Sequence, residues 1–471
     1  MKRAIRWYDY ITINIYWFAL TTRSQVLAPL IIPLLVQQFV GEAVKGAYVG
    51  QIRLWALMTA VLVQSLMGII SDQSRSKWGR RRPFIVIGTI GEIIAFIAVG
   101  FIAGLQGLTG YWLLFAIYIF SMVSSNTAQA ATQGLIPDLV PDEKKGRFSG
   151  VKALLELPVP VIFVSFVIGK LVSVGKVWEA LFALIAVMII ATIIAMFIPE
   201  TPFTEEKKKL DWQPFIRLVV MTAVFTVTIL GVGALVKFLI TLNASTGTNG
   251  NFIAGVIGVT GMALAVAFGV WASIYVGTGK SSSEQPDFVL WVINRLAFLV
   301  GSTNIASFMI YFLQERFTDL AGEKAAGPAS RIIMFVGIFI LLSALPSGWL
   351  TDKFGKKPLI ILSAVLAAVG TFVAIAVPNL TVISIGGCFI GAAIGLFYAS
   401  NWALGTDIVK KEQAGQFLGI SNLAGAGAGA IGAYIGGPIA DSAGYVLLMS
   451  IYGVLFIASI IPVIFVKEKR K

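Results

Sequence analysis

The chain has 471 residues, of which 57% are hydrophobic and only 13% are charged, whereas charged residues make up about 25% of a typical soluble protein. It contains no histidine and a single cysteine, Cys388, which excludes a disulfide framework and metal sites built from histidine and thiolate ligands. The formal net charge of +13 is compatible with nucleic-acid binding. Whether it indicates that function depends on where the basic residues lie along the chain.

Apolar runs of roughly 20 residues recur from end to end, and each is long enough to cross a bilayer as a helix. They lack the alternation of apolar and polar residues that a membrane β-barrel requires. The predicted spans lie near 11–40, 51–71, 83–105, 111–135, 148–171, 178–198, 214–241, 251–277, 288–315, 331–351, 358–378, 381–405, 416–440 and 443–466. These fourteen spans predict an all-α polytopic membrane protein with both termini on one side.

The basic residues indicate which side of the membrane each connecting segment faces. If the N-terminus is cytoplasmic, 25 of the 36 Lys and Arg lie in cytoplasmic segments, and seven, among them Lys45 and Arg53, lie on the opposite side. This bias follows the positive-inside rule. We therefore expect a multi-pass protein of the cell inner (plasma) membrane, surrounded by lipid bilayer, with cytoplasmic termini and no nucleic-acid partner.

Two charged phrases recur in the same order along the chain. GIISDQSRSKWGRRRP (68–83) follows the second span, and GWLTDKFGKKP (348–358) follows the tenth. At an offset of 280 the matched residues are Gly68 and Gly348, and Asp72 and Asp352. PDLVPDEKKGRFSG (137–150) and TDIVKKEQAGQFLG (406–419) are likewise identical at six of fourteen positions, including Asp138 and Asp407.

This duplication predicts two six-helix halves in parallel orientation. The halves are expected at 1–200 and 286–471, and residues 201–285 are expected to hold central linkers and an inserted two-helix hairpin. An even number of inserted helices preserves the orientation of the second half. The hairpin itself is predicted to be peripheral, because it contains little intramembrane charge beyond Lys237.

The phrase at 68–83 and its copy at 348–358 resemble the loop between helices 2 and 3 of the major facilitator superfamily of secondary transporters. The long form SDQSRSKWGRRRPF (71–84) and the fourth-span segment NTAQAATQGLIPDLVP (126–141) resemble the glycoside–pentoside–hexuronide branch, particularly its sucrose-type proton symporters. In that fourth span Asn126 and Gln129 match the branch pattern, whereas Ala130, Ala131 and Gln133 replace its Gly, Pro and Arg.

The resemblance implies two halves that rock about a central site and give alternating access. In that mechanism the loop residues and their acidic partners would hold the cytoplasmic side shut, and Gly68, one turn before Asp72, would permit close helix approach. The expected gating residues are Gly68, Asp72, Arg80, Arg81, Asp138, Glu200, Gly348, Asp352, Lys356 and Asp407. In the alternative interpretation, the basic residues of these loops only bind anionic lipid headgroups.

Polar residues within the spans are the candidates for transport, because polar and charged groups are costly in a bilayer and are functional candidates by default. The expected substrate-binding residues are Arg23, Gln25, Asn126, Gln129, Gln133, Thr303, Asn304, Asn401 and Trp402, and the expected proton-coupling residues are Glu92 and Glu156. Three alternatives stay open. Asn126 and Gln129 would join helices, Glu92 would be a structural acid paired with Arg23, and Arg295 would extend to the cytoplasmic surface.

The leading hypothesis is a proton-coupled symporter of a sugar or glycoside that acts as a monomer. Sodium coupling and uniport are the alternatives for energy coupling. An exporter or flippase of an amphipathic molecule or lipid is a second hypothesis, and a non-transporting assembly or pigment-delivery factor is a third. The sequence contains no set of nucleophile and base and no metal cluster, so neither an enzyme nor a cofactor is expected.

Overall fold

We analysed a computed structural model of the chain, which describes residues 6–200, 212–246, 250–278, 286–408 and 414–467. Every regular element in these ranges is helical. Fourteen of the helices are long and apolar enough to cross a membrane, as the sequence predicts. They are α1 (Asp9–Val40), α2 (Glu42–Asp72), α3 (Arg82–Ile102), α4 (Gly107–Leu139), α5 (Asp142–Ser173), α6 (Val177–Ala195), α7 (Gln213–Leu242), α8 (Gly250–Val276), α9 (Pro286–Ile305), α10 (Gly322–Phe354), α11 (Lys356–Ala376), α12 (Leu380–Ile408), α13 (Leu423–Ala443) and α14 (Tyr445–Phe465).

Contacts divide the chain into two compact units. The first contains Met1–Phe39 and Thr59–Phe215, and the second contains Val40–Met58 and Ile216–Lys471. Helix α2 therefore contributes its first half to the second unit and its remainder to the first. The inserted helices α7 and α8 belong to the second unit, where Phe225 of α7 contacts Gly427 of α13.

Within each repeated half, the third helix packs closely on the fourth. An added Cβ at Gly88 in α3 would meet the backbone of Ser124 in α4, and one at Gly370 in α11 would meet the backbone of Gly386 in α12. Without a strong hydrophobic driving force between helices in lipid, such small residues let two backbones approach and pack by van der Waals contact. The same pair of neighbours in both halves agrees with the duplication.

The loops with the repeated phrases share a backbone feature. Gly79 has a φ of 106° and Gly355 a φ of 89°, and each lies just before the third helix of its half. Side chains with a Cβ are strained at such angles, whereas glycine is not. A Cβ added at Gly68 or at Gly348 would meet no atom of a neighbouring helix among the described residues. The prediction that Gly68 permits close helix approach is therefore wrong in this structure.

Two of the helices contain a π-helical turn. In α1 it covers Leu27–Ile31, which includes Pro29, and in α5 it covers Val164–Ile168. Because α-helical hydrogen bonds join residues four apart, a turn with five-residue spacing accommodates one extra residue. Both turns lie in the first unit.

Candidate functional site

Arg23 lies in the middle of α1 and is the centre of a buried polar cluster in the first unit. Its side chain is 6% exposed, and its Nε lies 3.2 Å from Oε2 of Glu92, which is fully buried in α3. Its Nη2 donates to Oγ of Ser121 in α4 at 2.5 Å. The cluster thus joins three helices through one cation and one carboxylate.

Glu92 receives a second hydrogen bond, because Oγ of Ser121 donates to its Oε1 at 2.9 Å. The sulfur of Met122 lies 3.5 Å from Nη1 of Arg23, and the ring of Tyr118 lies 5.8 Å from the guanidinium carbon. Arg23 is therefore held between an acid, a hydroxyl and an aromatic ring. The negative charge of Glu92 offsets the positive charge of Arg23, which allows the guanidinium to stay buried in an apolar protein interior.

The other polar residues predicted in α1 and α4 lie apart from this cluster. Asn126 is buried, but its Nδ2 donates to the carbonyl of Met122 in its own helix at 2.8 Å. Gln25 and Gln129 are half-buried and Gln133 is exposed, and none of the three hydrogen-bonds to Arg23 or Glu92. The sequence missed Ser121 and Tyr118 as members of the cluster, and the one available signal was the position of Tyr118 on the Asn126 face of α4.

Glu156 differs from Glu92 in its surroundings. Its side chain is 41% exposed, and its Oε2 lies 3.4 Å from Nζ of Lys152 on the same helix. Lys152 also lies over the ring of Trp17, 3.9 Å from the ring centroid. Of the two predicted coupling acids, Glu92 is therefore the fully buried one, and Glu156 is partly exposed and paired with a lysine of its own helix.

A ladder of amide groups joins α9, α12 and α14 in the second unit. Nδ2 of Asn294 donates to the carbonyl of Ser459 at 2.7 Å, and Nδ2 of Asn401 donates to Oδ1 of Asn294 at 2.9 Å. Nη1 of Arg295 then donates to Oδ1 of Asn401 at 2.9 Å. Arg295 is only 7% exposed, so the prediction that it extends to the cytoplasmic surface is wrong. Trp402 is 44% exposed.

Thr303 and Asn304 lie further along α9 and bond to backbone rather than to a shared site. Nδ2 of Asn304 donates to the carbonyl of Val300 at 2.8 Å and to that of Ala428 in α13 at 3.3 Å. Oγ1 of Thr303 donates to the carbonyl of Leu299 at 2.7 Å. These bonds resemble contacts that join membrane helices.

Two basic residues predicted outside the membrane lie within α2. Lys45 and Arg53 are both more than nine-tenths buried. Arg53 hydrogen-bonds through Nη1 to Oγ of Ser307, while Nζ of Lys45 lies 4.4 Å from the centre of the Tyr311 ring. The helix begins at Glu42, nine residues before the predicted start of this span near residue 51, so both residues belong to it.

The predicted loop residues of the first half converge on Arg81. Its guanidinium forms ion pairs with Asp72 and Asp138, and Arg80 also pairs with Asp138. The carboxylate of Glu200 accepts the backbone N–H of Arg81 at 2.7 Å. Burial raises the pKa of the Glu200 carboxyl above its ordinary value.

The second half repeats only part of this arrangement. Lys356 pairs with Asp407, as the positions of both residues in the repeat suggest. Asp352 is exposed and forms no ion pair within the described part of the chain. The structure describes the backbone of Gly415, Phe417 and Gly419 in the second repeated phrase, but not the packing around these residues.

Comparison with known proteins agrees with this architecture. The family model of the Major Facilitator Superfamily matches residues 15–321 and 296–471. Sucrose transport protein SUC3 of Arabidopsis thaliana is 32% identical over 111 residues, which cover 18% of this chain and 18% of that protein. Lactose permease of Lactobacillus helveticus is 28% identical over 181 residues, which cover 34% of this chain and 28% of that protein.

These matches span less than a third of either relative's length. Among solved structures, nucleoside transporter NupG superimposes with a TM-score of 0.63 at 14% identity, and the match covers 98% of this chain and 100% of that one. At this identity the similarity concerns the fold alone.

Proposed function

Because the chain belongs to the major facilitator superfamily, we propose that this membrane transporter couples the movement of a sugar or glycoside to protons by alternating access. The six-helix halves are assigned to 1–200 and 286–471, on either side of the insertion. Both termini lie in the cytoplasm, and the protein acts in the plasma membrane as a monomer. The placement of its basic residues supports this orientation.

The sugar assignment is supported by the partial relatives and by the groups around Arg23. A sucrose transport protein and a lactose permease both match segments of the chain. Guanidinium and hydroxyl groups donate hydrogen bonds to sugar hydroxyls, and an aromatic face such as that of Tyr118 stacks on the apolar face of a sugar ring. Arg23 and Tyr118 lie 5.8 Å apart from guanidinium carbon to ring centre.

The observation that carries the coupling proposal is the fully buried Glu92 beside Arg23. An ionised carboxylate and a guanidinium balance each other, and loss of either charge leaves the other uncompensated in an apolar interior. Protonation of Glu92 therefore favours a cargo whose oxygens accept hydrogen bonds from Arg23. Proton binding and sugar binding then assist each other by a coupling free energy, which thermodynamics requires to be reciprocal.

The test is uptake of labelled sucrose and lactose by proteoliposomes that contain the full-length protein. We expect accumulation when an inward proton gradient is applied, and equilibration when a protonophore removes it. Glu92→Gln fixes the site in an uncharged form, so it should lose gradient-driven accumulation and keep exchange of sugar across the membrane. Glu179→Gln is the matched control, because Glu179 is half-exposed and pairs with Lys176 one turn earlier.

Two results would contradict the proposal separately. If neither sugar accumulates or exchanges, the sugar assignment is wrong. If sugar accumulates and Glu92→Gln leaves gradient-driven accumulation intact, the coupling residue is wrong while transport stands.

A further inference from the structure

Three hydroxyl groups from three different helices form a hydrogen-bonded chain in the first unit. Oη of Tyr16 in α1 lies 2.8 Å from Oγ1 of Thr89 in α3, and the same Thr89 oxygen lies 2.7 Å from Oγ1 of Thr192 in α6. Tyr16 is fully buried and Thr89 is 4% exposed, whereas Thr192 is half-buried. The hydroxyl chain therefore leads from a buried phenol to a threonine that is partly accessible.

The buried end of this hydroxyl chain lies beside the pair of Arg23 and Glu92. Thr89 precedes Glu92 by three residues, so the two side chains occupy neighbouring turns on one face of α3. Long side chains in a helix lean toward its N-terminus, which directs the Glu92 carboxylate toward the turn of Thr89. The hydroxyl of Tyr16 interacts electrostatically with both Glu92 and Arg23. The hydroxyl chain thus begins next to the proposed coupling acid.

The other end of the hydroxyl chain lies close to the end of α6. Thr192 precedes Ala195, the last residue of that helix, by three residues, which is about 4.5 Å along the helix axis. In the proposed orientation, with a cytoplasmic N-terminus, α6 ends on the cytoplasmic side of the membrane. The hydroxyl chain then leads from Glu92 toward the cytoplasmic surface.

Each hydroxyl of the chain has both functions that a proton relay requires. A hydroxyl group donates one hydrogen bond and accepts others through its lone pairs, and at both links of the chain either oxygen fits the role of donor. The carbonyl of Ile85 lies 2.9 Å from the Thr89 oxygen, so the Thr89 hydroxyl has a second acceptor to which it turns between transfers. Rotation of the three hydroxyls reverses the direction of the chain without movement of a helix.

We propose that Tyr16, Thr89 and Thr192 relay the coupling proton between Glu92 and water at the cytoplasmic end of α6. The protonated Glu92 gives its proton to the Tyr16 oxygen, while Tyr16 passes its own proton to Thr89. Thr89 in turn passes its proton to Thr192, which gives one to a water molecule. One O–H bond forms and one breaks at each hydroxyl, so all three are neutral before and after the transfer. Glu92 is left as the carboxylate that pairs with Arg23. The inference rests on the proposed proton coupling and adds the route of the proton.

The test follows the protonation of Glu92 directly, so it does not require a transported sugar. Purified full-length protein in lipid vesicles is given a light-triggered drop in pH, and the infrared band of the protonated carboxyl group is recorded over time. Glu92→Gln identifies the band by its loss. Tyr16→Phe and Thr89→Val each interrupt the hydroxyl chain, and both should slow the rise of the band at least tenfold. Tyr16→Phe keeps the buried ring, so it tests the relay even if Thr89→Val does not fold.

Two further variants separate a relay from a role in helix packing. Thr89→Ser keeps the hydroxyl group and should keep most of the protonation rate. Thr132→Val is the matched control, because Oγ1 of the buried Thr132 donates to the carbonyl of Ala128 in its own helix at 2.8 Å, and it should leave the rate unchanged. If the hydroxyl chain only joins the three helices, Tyr16→Phe should lower the unfolding temperature and leave the rate unchanged.

The relay is overturned if the band rises as fast in Tyr16→Phe and Thr89→Val as in the unmodified protein. Sugar accumulation in a proton gradient would then uphold the proposed function without this route. Slow protonation in both variants upholds the relay even if no sugar is transported, and in that case only the sugar assignment fails. If Glu92→Gln removes no carboxyl band, Glu92 does not bind a proton, and both the relay and the coupling proposal are rejected.

Discussion

Lys356 forms an ion pair with Asp407 and thereby connects the first residue of α11 to the end of α12. In the first half Arg80 pairs with Asp138 near the end of α4. In both halves the residue before the cation is a glycine with positive φ. The two copies of the phrase thus share an ion pair as well as sequence identity. In each half that ion pair joins the loop before the third helix to the end of the fourth.

Asp138→Asn should destabilise the protein, because Asp138 accepts ion pairs from both Arg80 and Arg81. Since the carboxylate is about three-quarters buried, we expect a loss of about 1–3 kcal/mol, between the values for surface and buried pairs. Thermal unfolding in detergent measures the loss. Asp142→Asn removes an exposed carboxylate in the first turn of α5 that is paired with Lys145 and should lower the melting temperature less than Asp138→Asn; equal melting temperatures for both variants would contradict the prediction.

Gly355→Ala should cost about 1 kcal/mol, because a residue with a Cβ is strained at a φ of 89°. Gly348→Ala is the matched control seven residues earlier. Gly348 lies inside α10, where an added Cβ would have open space around it, and alanine is the better helix former, so this change should be neutral or slightly stabilising. Unfolding midpoints of the two variants check the difference, and a Gly348 variant that is the less stable of the two would reject the explanation.

Arg23→Gln should be among the most damaging single changes. It leaves the carboxylate of Glu92 buried without its cation, for which we expect about 3–5 kcal/mol of destabilisation. Adding Glu92→Gln removes the remaining charge, so the double variant should be more stable than Arg23→Gln alone. A double-mutant cycle of thermal unfolding measures this coupling, and strictly additive losses would show that the two charges act independently.

Asp441→Asn should weaken the start of the α-helical part of α2. The carboxylate of Asp441 accepts the backbone N–H of Gly46 at 2.8 Å and that of Ala47 at 2.7 Å. A helix begins with unsatisfied N–H groups and a positive dipole end, so losing the negative charge should cost about 1 kcal/mol. Ser442→Ala changes the exposed neighbouring residue and should have no effect on unfolding; a similar loss for both would rule out capping as the cause.

The sequence was sufficient to predict the number of helices and the duplication. Span length follows from bilayer thickness, so fourteen apolar runs gave fourteen helices. The repeated positions of Asp138 and Asp407 indicated acidic partners for the loop cations, and the structure places Arg80 and Lys356 against them. These features depend on local composition and on repetition, which a single sequence contains.

Contacts between helices were less accessible to prediction. Arg53 was counted with the basic residues of the non-cytoplasmic segments, whereas the structure places it inside α2 with its side chain buried. Glu92 and Glu156 are both single acids in apolar runs, and only the rotation of α5 exposes Glu156. The Asn294–Asn401 bond needs the relative rotation of α9 and α12, which no periodicity in one helix specifies.

The π-helical turns at Leu27–Ile31 and Val164–Ile168 bear on how this chain is compared with its relatives. Each turn is equivalent to a single-residue insertion in an α-helix. When a relative's first helix is α-helical throughout, an ungapped alignment through α1 therefore assigns residues on one side of the turn to faces about 100° away from their true direction. For such a relative, functional residues transferred onto Arg23 and onto positions beyond Ile31 need separate registers, with a one-residue gap between them.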